Sequence, residues 1–314
     1  VFVALGLLLA ALAAGCGGDG GKPQAGNKAA GPARTAGVWV TNTDMMKTAV
    51  YRIDPVSNKV VATIELDGLS KGIAADGTSV WLTDFGNGKV WRIDAATNKI
   101  VATVKVGEAP TAVAAGHGAI WVANSTKGTL SRIDPAANKV VATIPVTNSL
   151  LNSICILDNA VWVASVNMMV SRVDPATNAV TGRIRVKTNP SGVSGGFGSL
   201  WVGDPMGKKV LRLDPAAMKP VAAIKTGNTQ NTACADGFVA AANYAEGSVV
   251  FIDPKENKVT GEVKTGKNQA AIALGHGAVW TASGHENMVY RIDQASRAVT
   301  AISVAKPGKI AVTQ

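Results

Sequence analysis

An all-β fold assembled from seven like units is what this sequence predicts, on three observations. The tripeptide R-I-D or a close variant occurs at Arg52–Asp54, Arg92–Asp94, Arg132–Asp134, Arg172–Asp174, Arg212–Asp214, Phe251–Asp253 and Arg291–Asp293, so its aspartates stand 40, 40, 40, 40, 39 and 40 residues apart. A tryptophan leads the copies at Trp39, Trp81, Trp121, Trp162, Trp201 and Trp280, with "FVAAAN" (238–243) as the Trp-less variant. Within one unit, 111–146, four short runs of β-branched and small residues (111–115, 119–123, 129–133 and 139–146) are divided by Gly, Asn, Asp and Pro turn signals. Call these strands a, b, c and d. Four antiparallel strands per repeat of about 40–45 residues, repeated about 4–8 times, is the pattern of a β-propeller. The expectation is a seven-bladed one.

In chain order, residues 1–15 lead up to Cys16 in the run "VFVALGLLLAALAAGC", too short for a membrane span and ending in small residues. Its close, "LAAGC", resembles a bacterial lipobox, which implies cleavage before Cys16 and lipid on that thiol. With no initiator Met or basic stretch ahead of it, the chain is expected to begin upstream of Val1. Residues 16–35, rich in Gly, Ala, Pro and Lys, are expected to form a flexible tether. Residues 36–314 are the propeller. Its first copy begins at "GVWVTN" (37–42), already strand b, while the chain closes on "GKIAVTQ" (308–314), which matches strand a. The tail should therefore complete the first blade and lock the ring, leaving no open sheet edge between first and last copies.

Repetition gives most of the chemically suggestive residues an architectural role. His117 and His276 both occupy the a–b turn, where other copies carry "ADG" or "LDN", and a tight turn with positive φ suits all of these. That turn shares a rim with the c–d "DPxxNK" hairpins. In those, Asp bonds the backbone, Pro fixes φ and Asn takes the left-handed conformation. The tryptophans should pack between blades rather than form an aromatic platform for nucleic acid. Three cysteines cannot make a disulfide framework. Cys155 and Cys234, on strands a two blades apart, should be free buried thiols.

Variation marks the other rim. The b–c connections differ from copy to copy, from "TNTDMMKTA" (41–49) and "TDFGNGK" (83–89) to "ANYAEGS" (242–248) and "ASGHENM" (282–288), as do d–a segments such as "NSLLNS" (148–153), "GNTQNT" (227–232) and "GKNQAA" (266–271). They place Asn42, Asp84, Asn124, Asn152, Asp204, Asn231, Asn243, Tyr244, Asn268 and Gln269 around one mouth of the central channel. Amides, a tyrosine and methionines there suit a polar or peptidic ligand. His285 with Glu286 is the one His–carboxylate pair on this rim, a slender basis for acid–base or metal chemistry.

The unit "VWVAN…G.L.RIDP..NKVVATI.VG" resembles the YVTN-type β-propeller repeat over residues 37–314. Relatives include surface and periplasmic propellers without known catalysis, a nucleic-acid-binding periplasmic member, and the magnesium-dependent streptogramin (virginiamycin B) lyases. The lyase pattern carries "PHGI" at strand a and "WFTE" at the end of strand b. Here the first position reads "LSKGI" (69–73), "APTAV" (109–113) and "NPSGV" (189–193), without His. The second reads "WLTD" (81–84), "WVAN" (121–124) and "WVGD" (201–204), without Glu. A general base is not replaced by Thr, Ser or Lys, so the resemblance implies the fold and not the activity.

The leading expectation is a non-catalytic module at the bacterial cell envelope, at the outer membrane and periplasm or on the outer face of the plasma membrane. It would be held to the membrane by lipid on Cys16 and would bind a polar ligand or an envelope protein as a monomer, with no cofactor or metal. One alternative is a lyase with a diverged site using Asp84, Asp204, His285 and Glu286 and requiring magnesium. Another is binding of nucleic acid or an anionic polymer, prompted by a net charge of +10. Much of that charge, however, is the repeated Arg and Lys spread around the ring.

Overall fold

The structure, a computed structural model, describes residues 35–44, 48–235 and 237–314. Residues 1–15, Cys16 and nearly all of the expected tether lie outside the described residues. Blade 1 opens with β1 (Gly37–Asn42), β2 (Ala49–Asp54) and β3 (Lys59–Glu65). Blade 2 holds β4 (Ile73–Ala75), β5 (Ser79–Asp84), β6 (Lys89–Asp94) and β7 (Lys99–Lys105). Blade 3 holds β8 (Pro110–Gly116), β9 (Ala119–Asn124), β10 (Thr129–Asp134) and β11 (Lys139–Pro145). Blade 4 follows with β12 (Leu151–Leu157), β13 (Ala160–Ser165), β14 (Met169–Asp174) and β15 (Ala179–Arg185). Blade 5 comprises β16 (Val193–Gly196), β17 (Ser199–Asp204), β18 (Lys209–Asp214) and β19 (Lys219–Lys225). Blade 6 comprises β20 (Thr229–Ala235), β21 (Phe238–Asn243), β22 (Ser248–Asp253) and β23 (Lys258–Lys264). Blade 7 ends the series with β24 (Gln269–Gly275), β25 (Ala278–Ser283), β26 (Met288–Asp293) and β27 (Val299–Ser303), and β28 (Pro307–Thr313) closes the chain.

Six sheets take their four strands consecutively, and the seventh has the order β28-β1-β2-β3. The tail strand thus supplies strand a of blade 1, as the two chain ends predict. Its register pairs Val38 with Val312, Trp39 with Ala311 and Val40 with Ile310. The molecule is a seven-bladed β-propeller.

Burial explains why each strand reads as it does. Every strand b is buried along its whole length, because neighbouring blades press on both of its faces; hence its unbroken apolar run. Every strand d alternates or stays exposed, being the outer edge. The buried side chains form seven separate apolar clusters, each shared by two adjacent blades, the seam between blades 7 and 1 included. Among the described residues there is no single central core.

The tryptophans sit in these seams, 0–1% exposed, as expected. Their stacking partners are the arginines of R-I-D: Arg52 lies 5.3 Å from the Trp39 ring centroid, Arg92 5.1 Å from Trp81, Arg132 5.2 Å from Trp121 and Arg212 5.2 Å from Trp201. Each guanidinium then reaches into the next blade's c–d turn. Arg92 donates to the Pro135 carbonyl at 2.6 Å and to Asn138 Oδ1 at 3.0 Å, and Arg132 and Arg212 repeat the contact one blade and three blades on. The repeated arginine is therefore a blade-to-blade strap.

The turns behave as their residues require. Asp54 Oδ1 accepts from the amides of Val56 and Ser57, and the Asn at the end of the turn takes φ of 52–57° in blades 1 to 4 and blade 6. His117 and His276 have φ of 53° and 51°, each followed by a left-handed glycine. Both lie on the a–b rim, at the opposite strand ends from Asp84 and Asp204. His276 Nε2 makes a 2.8 Å hydrogen bond with the Thr313 carbonyl and so helps fasten the tail. Cys155 and Cys234 are both unpaired. Cys155 is buried and Cys234 part-buried, and burial pushes both thiols up, that of Cys234 to about 11.

Candidate functional site

The seven inner strands and the segments leading into them enclose a channel cavity of about 200 Å³. It opens toward the variable b–c/d–a rim because strand a starts there. Its polar lining comes largely from two neighbouring positions at the start of strand a: Lys71, Thr111, Asn152 and Ser191 at one, and Asn231 and Lys309 at the next. Part of this ring is tied together from blade to blade. Thr111 Oγ1 donates to the Leu151 carbonyl at 2.9 Å, Asn152 Nδ2 to the Pro190 carbonyl at 3.0 Å, and Ser191 Oγ to Gln230 Oε1 at 2.6 Å. These bonds hold the lining of blades 3 to 6 in fixed orientations, leaving a preformed polar pocket.

The two lysines are carried by adjacent blades. Lys71 stands at the exposed lip, its ammonium 5.8 Å from the centroid of the Phe85 ring. Lys309 lies on β28, part-buried, its amide donating to Thr41 Oγ1 at 2.9 Å. Burial, and then the neighbouring Lys71 charge, hold the Lys309 ammonium below the usual lysine range. No carboxylate lines the channel among the described residues.

Of the ten rim residues read from the sequence, the channel wall includes Asn152 and Asn231. Asn42, Asp84, Asn124, Asp204, Asn243 and Gln269 are instead 0–3% exposed. Their side chains brace the rim from within. Asn124 accepts from the Gly107 amide at 3.1 Å and donates to Thr129 Oγ1 and Ser131 Oγ. Asp204 accepts from Thr188 Oγ1 at 2.6 Å and from the Gly207 amide at 2.8 Å. Asp84 accepts from Asn87, Asn42 from the Ala49 amide, and Asn243 joins Thr229 to the Thr226 carbonyl. Gln269 bonds Thr281, the Gly266 carbonyl and Thr265. The last residue of strand b is thus a recurring clamp between the b–c turn and the d–a segment. Tyr244 is 38% exposed on the rim, and Asn268 adopts φ of 59° beside it, its amide donating to the Tyr244 carbonyl.

His285 is exposed and Glu286 is engaged elsewhere: Tyr290 Oη donates to its carboxylate at 2.5 Å and the Lys267 amide at 2.9 Å. The Tyr290 hydroxyl holds Glu286 below the ordinary carboxylate range, while burial and Glu286 push Tyr290 up to about 12. Among the described residues no three His, Cys, Asp or Glu side chains converge as a metal site would require. A larger hollow of about 560 Å³ lies on the opposite rim between blades 2 and 3. Its Arg92 is the strap already described, so the polar channel is the better candidate.

Lys71, Thr111, Ser191 and Lys309 were missed in reading the sequence. The available signal was that "LSKGI" and "GKI" put Lys at two neighbouring slots near the start of strand a, where other copies carry small or neutral residues.

No protein-family model matches this sequence, and no curated protein matches it. Among solved structures, Kuenenia stuttgartiensis hydrazine synthase is similar, with a TM-score of 0.65 at 16% identity over 82% of this chain and 90% of that one. A likeness at that identity shows the fold alone. What a β-propeller does has to be argued from its own side chains.

Proposed function

We propose that this chain is a non-catalytic binding module whose ligand sits at the channel mouth on the b–c/d–a rim. In this reading the Cys16 lipid holds the ring at the outer side of a bacterial membrane. The observation that carries the binding role is the preformed ring of amides, hydroxyls and lysines contributed by the blades around one small cavity. Rigid scaffolds with convergent polar groups bind with little ordering cost. The anchor rests on "LAAGC" and the tether composition, and a YVTN-type kinship would fit both. Repeated arginines that strap blades together do not form a phosphate-binding stripe, which weighs against nucleic acid as the partner.

The test is a ligand-observed NMR screen of polar metabolite mixtures against the full chain and against Ser191→Trp, which would fill the mouth. Compounds bound by the parent should lose at least tenfold in affinity in Ser191→Trp at unchanged circular dichroism. Ligands indifferent to Ser191→Trp, or a screen without binders, would contradict the reading.

A further inference from the structure

The geometry points to a second ligand site, at the seam of blades 4 and 5 on the a–b/c–d rim, for a small monocarboxylic acid with an apolar body. It stands apart from the channel mouth, which lies at the opposite strand ends. A hollow of about 180 Å³ opens here between the a–b turn of blade 4 and the c–d turn of blade 5, with Trp162 and Arg172 in its wall. Arg172 sets this seam apart. Arg52, Arg92, Arg132 and Arg212 each bond a carbonyl and an asparagine of the next blade's c–d turn. Arg291 pairs with Asp293 at 3.6 Å and lies 5.9 Å from the Trp280 ring centroid. Arg172 has no hydrogen bond, ion pair or ring contact among the described residues, and senses only the charge of Asp174 on its own strand.

Two departures from the repeat remove its acceptors. Met218 stands in the slot where Asn98, Asn138, Asn178 and Asn257 accept, and Ala160 where Ser79 and Ser199 accept from Arg92 and Arg212. Trp162 adds a second donor to the same wall. Its indole Nε1 has no partner, whereas those of Trp121, Trp201 and Trp280 donate to the last carbonyl of strand a at 3.0–3.1 Å. A guanidinium with both forks open, half-buried beside apolar surface, matches a carboxylate in shape and charge. The rest of the lining selects the body of the acid. Leu157, Pro215 and Ala216 offer apolar contact, while Asp158 at the edge disfavours a second negative charge and so phosphate. The hollow holds about six waters' share of liquid volume, which keeps the acid small.

The experiment is isothermal titration of the full chain with benzoate, isovalerate, neutral benzamide and inorganic phosphate, repeated with Arg172→Gln, Met218→Asn and Ser191→Trp. Benzoate or isovalerate should bind, benzamide should not, and phosphate should bind more weakly than either acid. Arg172→Gln should weaken the acid about tenfold. Met218→Asn guards against a merely disturbed seam, because it keeps the arginine and ties its guanidinium to an acceptor within the protein. It should also weaken the acid about tenfold, at an unfolding midpoint no lower than the parent's. Ser191→Trp, which fills the channel mouth, should leave acid binding unchanged. No binding of either acid, equal binding of benzamide, or tighter binding of phosphate would overturn the proposal. Acid binding unchanged in Arg172→Gln or in Met218→Asn would do the same. Binding lost in Ser191→Trp would move the acid to the channel and overturn the second site while leaving the channel reading intact.

Discussion

Arginine in the R-I-D repeat shows how much one side chain does here and where its copies diverge. In blade 5 the c–d turn carries Met218 in the Asn slot, still at φ of 53°. The indole Nε1 of Trp162 across that seam has no hydrogen-bond partner. We expect Met218→Asn to stabilise the protein by about 0.5–1.5 kcal/mol in urea unfolding, by giving Arg172 the acceptor that Arg92 and Arg132 enjoy. At the next-but-one seam the roles are exchanged: Phe251 replaces the arginine in blade 6, and Arg297 fills the Asn slot of blade 7. The Arg297 guanidinium lies 3.6 Å from the Phe251 ring centroid. Arg297→Asn should cost about 1–2 kcal/mol alone, and adding Phe251→Arg should recover part of that loss. Additive losses in the double-mutant cycle would show the exchange to be incidental. Neither strap nor exchange was legible in the sequence, because each joins residues some 43 or 46 positions apart. The turn roles of His117 and of the R-I-D aspartates were legible, since they depend on local backbone alone.

Strands account for the division between what was legible and what was not. Period and turn residues announced four strands per unit, and the missing strand a at the front matched the extra one at the back. Side-chain direction at the mouth was not legible. In five blades the a–b pairing shifts register there, for example between Pro110 and Ala112, between Thr229 and Asn231, and between Val40 and Asn42. A shift of one residue exchanges the faces of a strand. In blade 3 the extra residue, Thr111, lines the channel. Asn124 is buried in the rim, as Asp84 and Asp204 are in the two blades without such a shift, so position in a variable loop located the rim but not which of its side chains face the cavity. Outer strands pose a separate problem, since Val61, Val101 and Val141 are 55–57% exposed on unpaired edges. Bulges between strands c and d, as at Arg92/Ile93, and lysines such as Lys99 and Lys139 protect those edges from pairing with other chains. Replacing Lys99 and Lys139 by Val should promote aggregation, read as light scattering at constant protein concentration.

Across the whole molecule, stability should follow the turns. Asp174, Asp214, Asp253 and Asp293 accept turn amides, and Asp94 accepts from the Thr97 hydroxyl and amide; these bonds hold all five below the ordinary aspartate range. A carboxylate with a depressed folded value stabilises above its unfolded value and loses that contribution as pH falls through the folded one. The unfolding midpoint should therefore stay level from about pH 7 to 5 and fall below about pH 4, where net positive charge also rises. A midpoint that climbs on acidification would contradict these turn assignments.

Closure holds the account together, because β28 both completes blade 1 and carries Lys309 into the channel. Hydrogen–deuterium exchange of the full chain measures that closure directly. Amides of 308–313 should exchange as slowly as those of β9, in one cooperative transition with the ring. Exchange of that segment within seconds while β9 stays protected would show an open ring, and with it neither the completed first blade nor the two-lysine mouth.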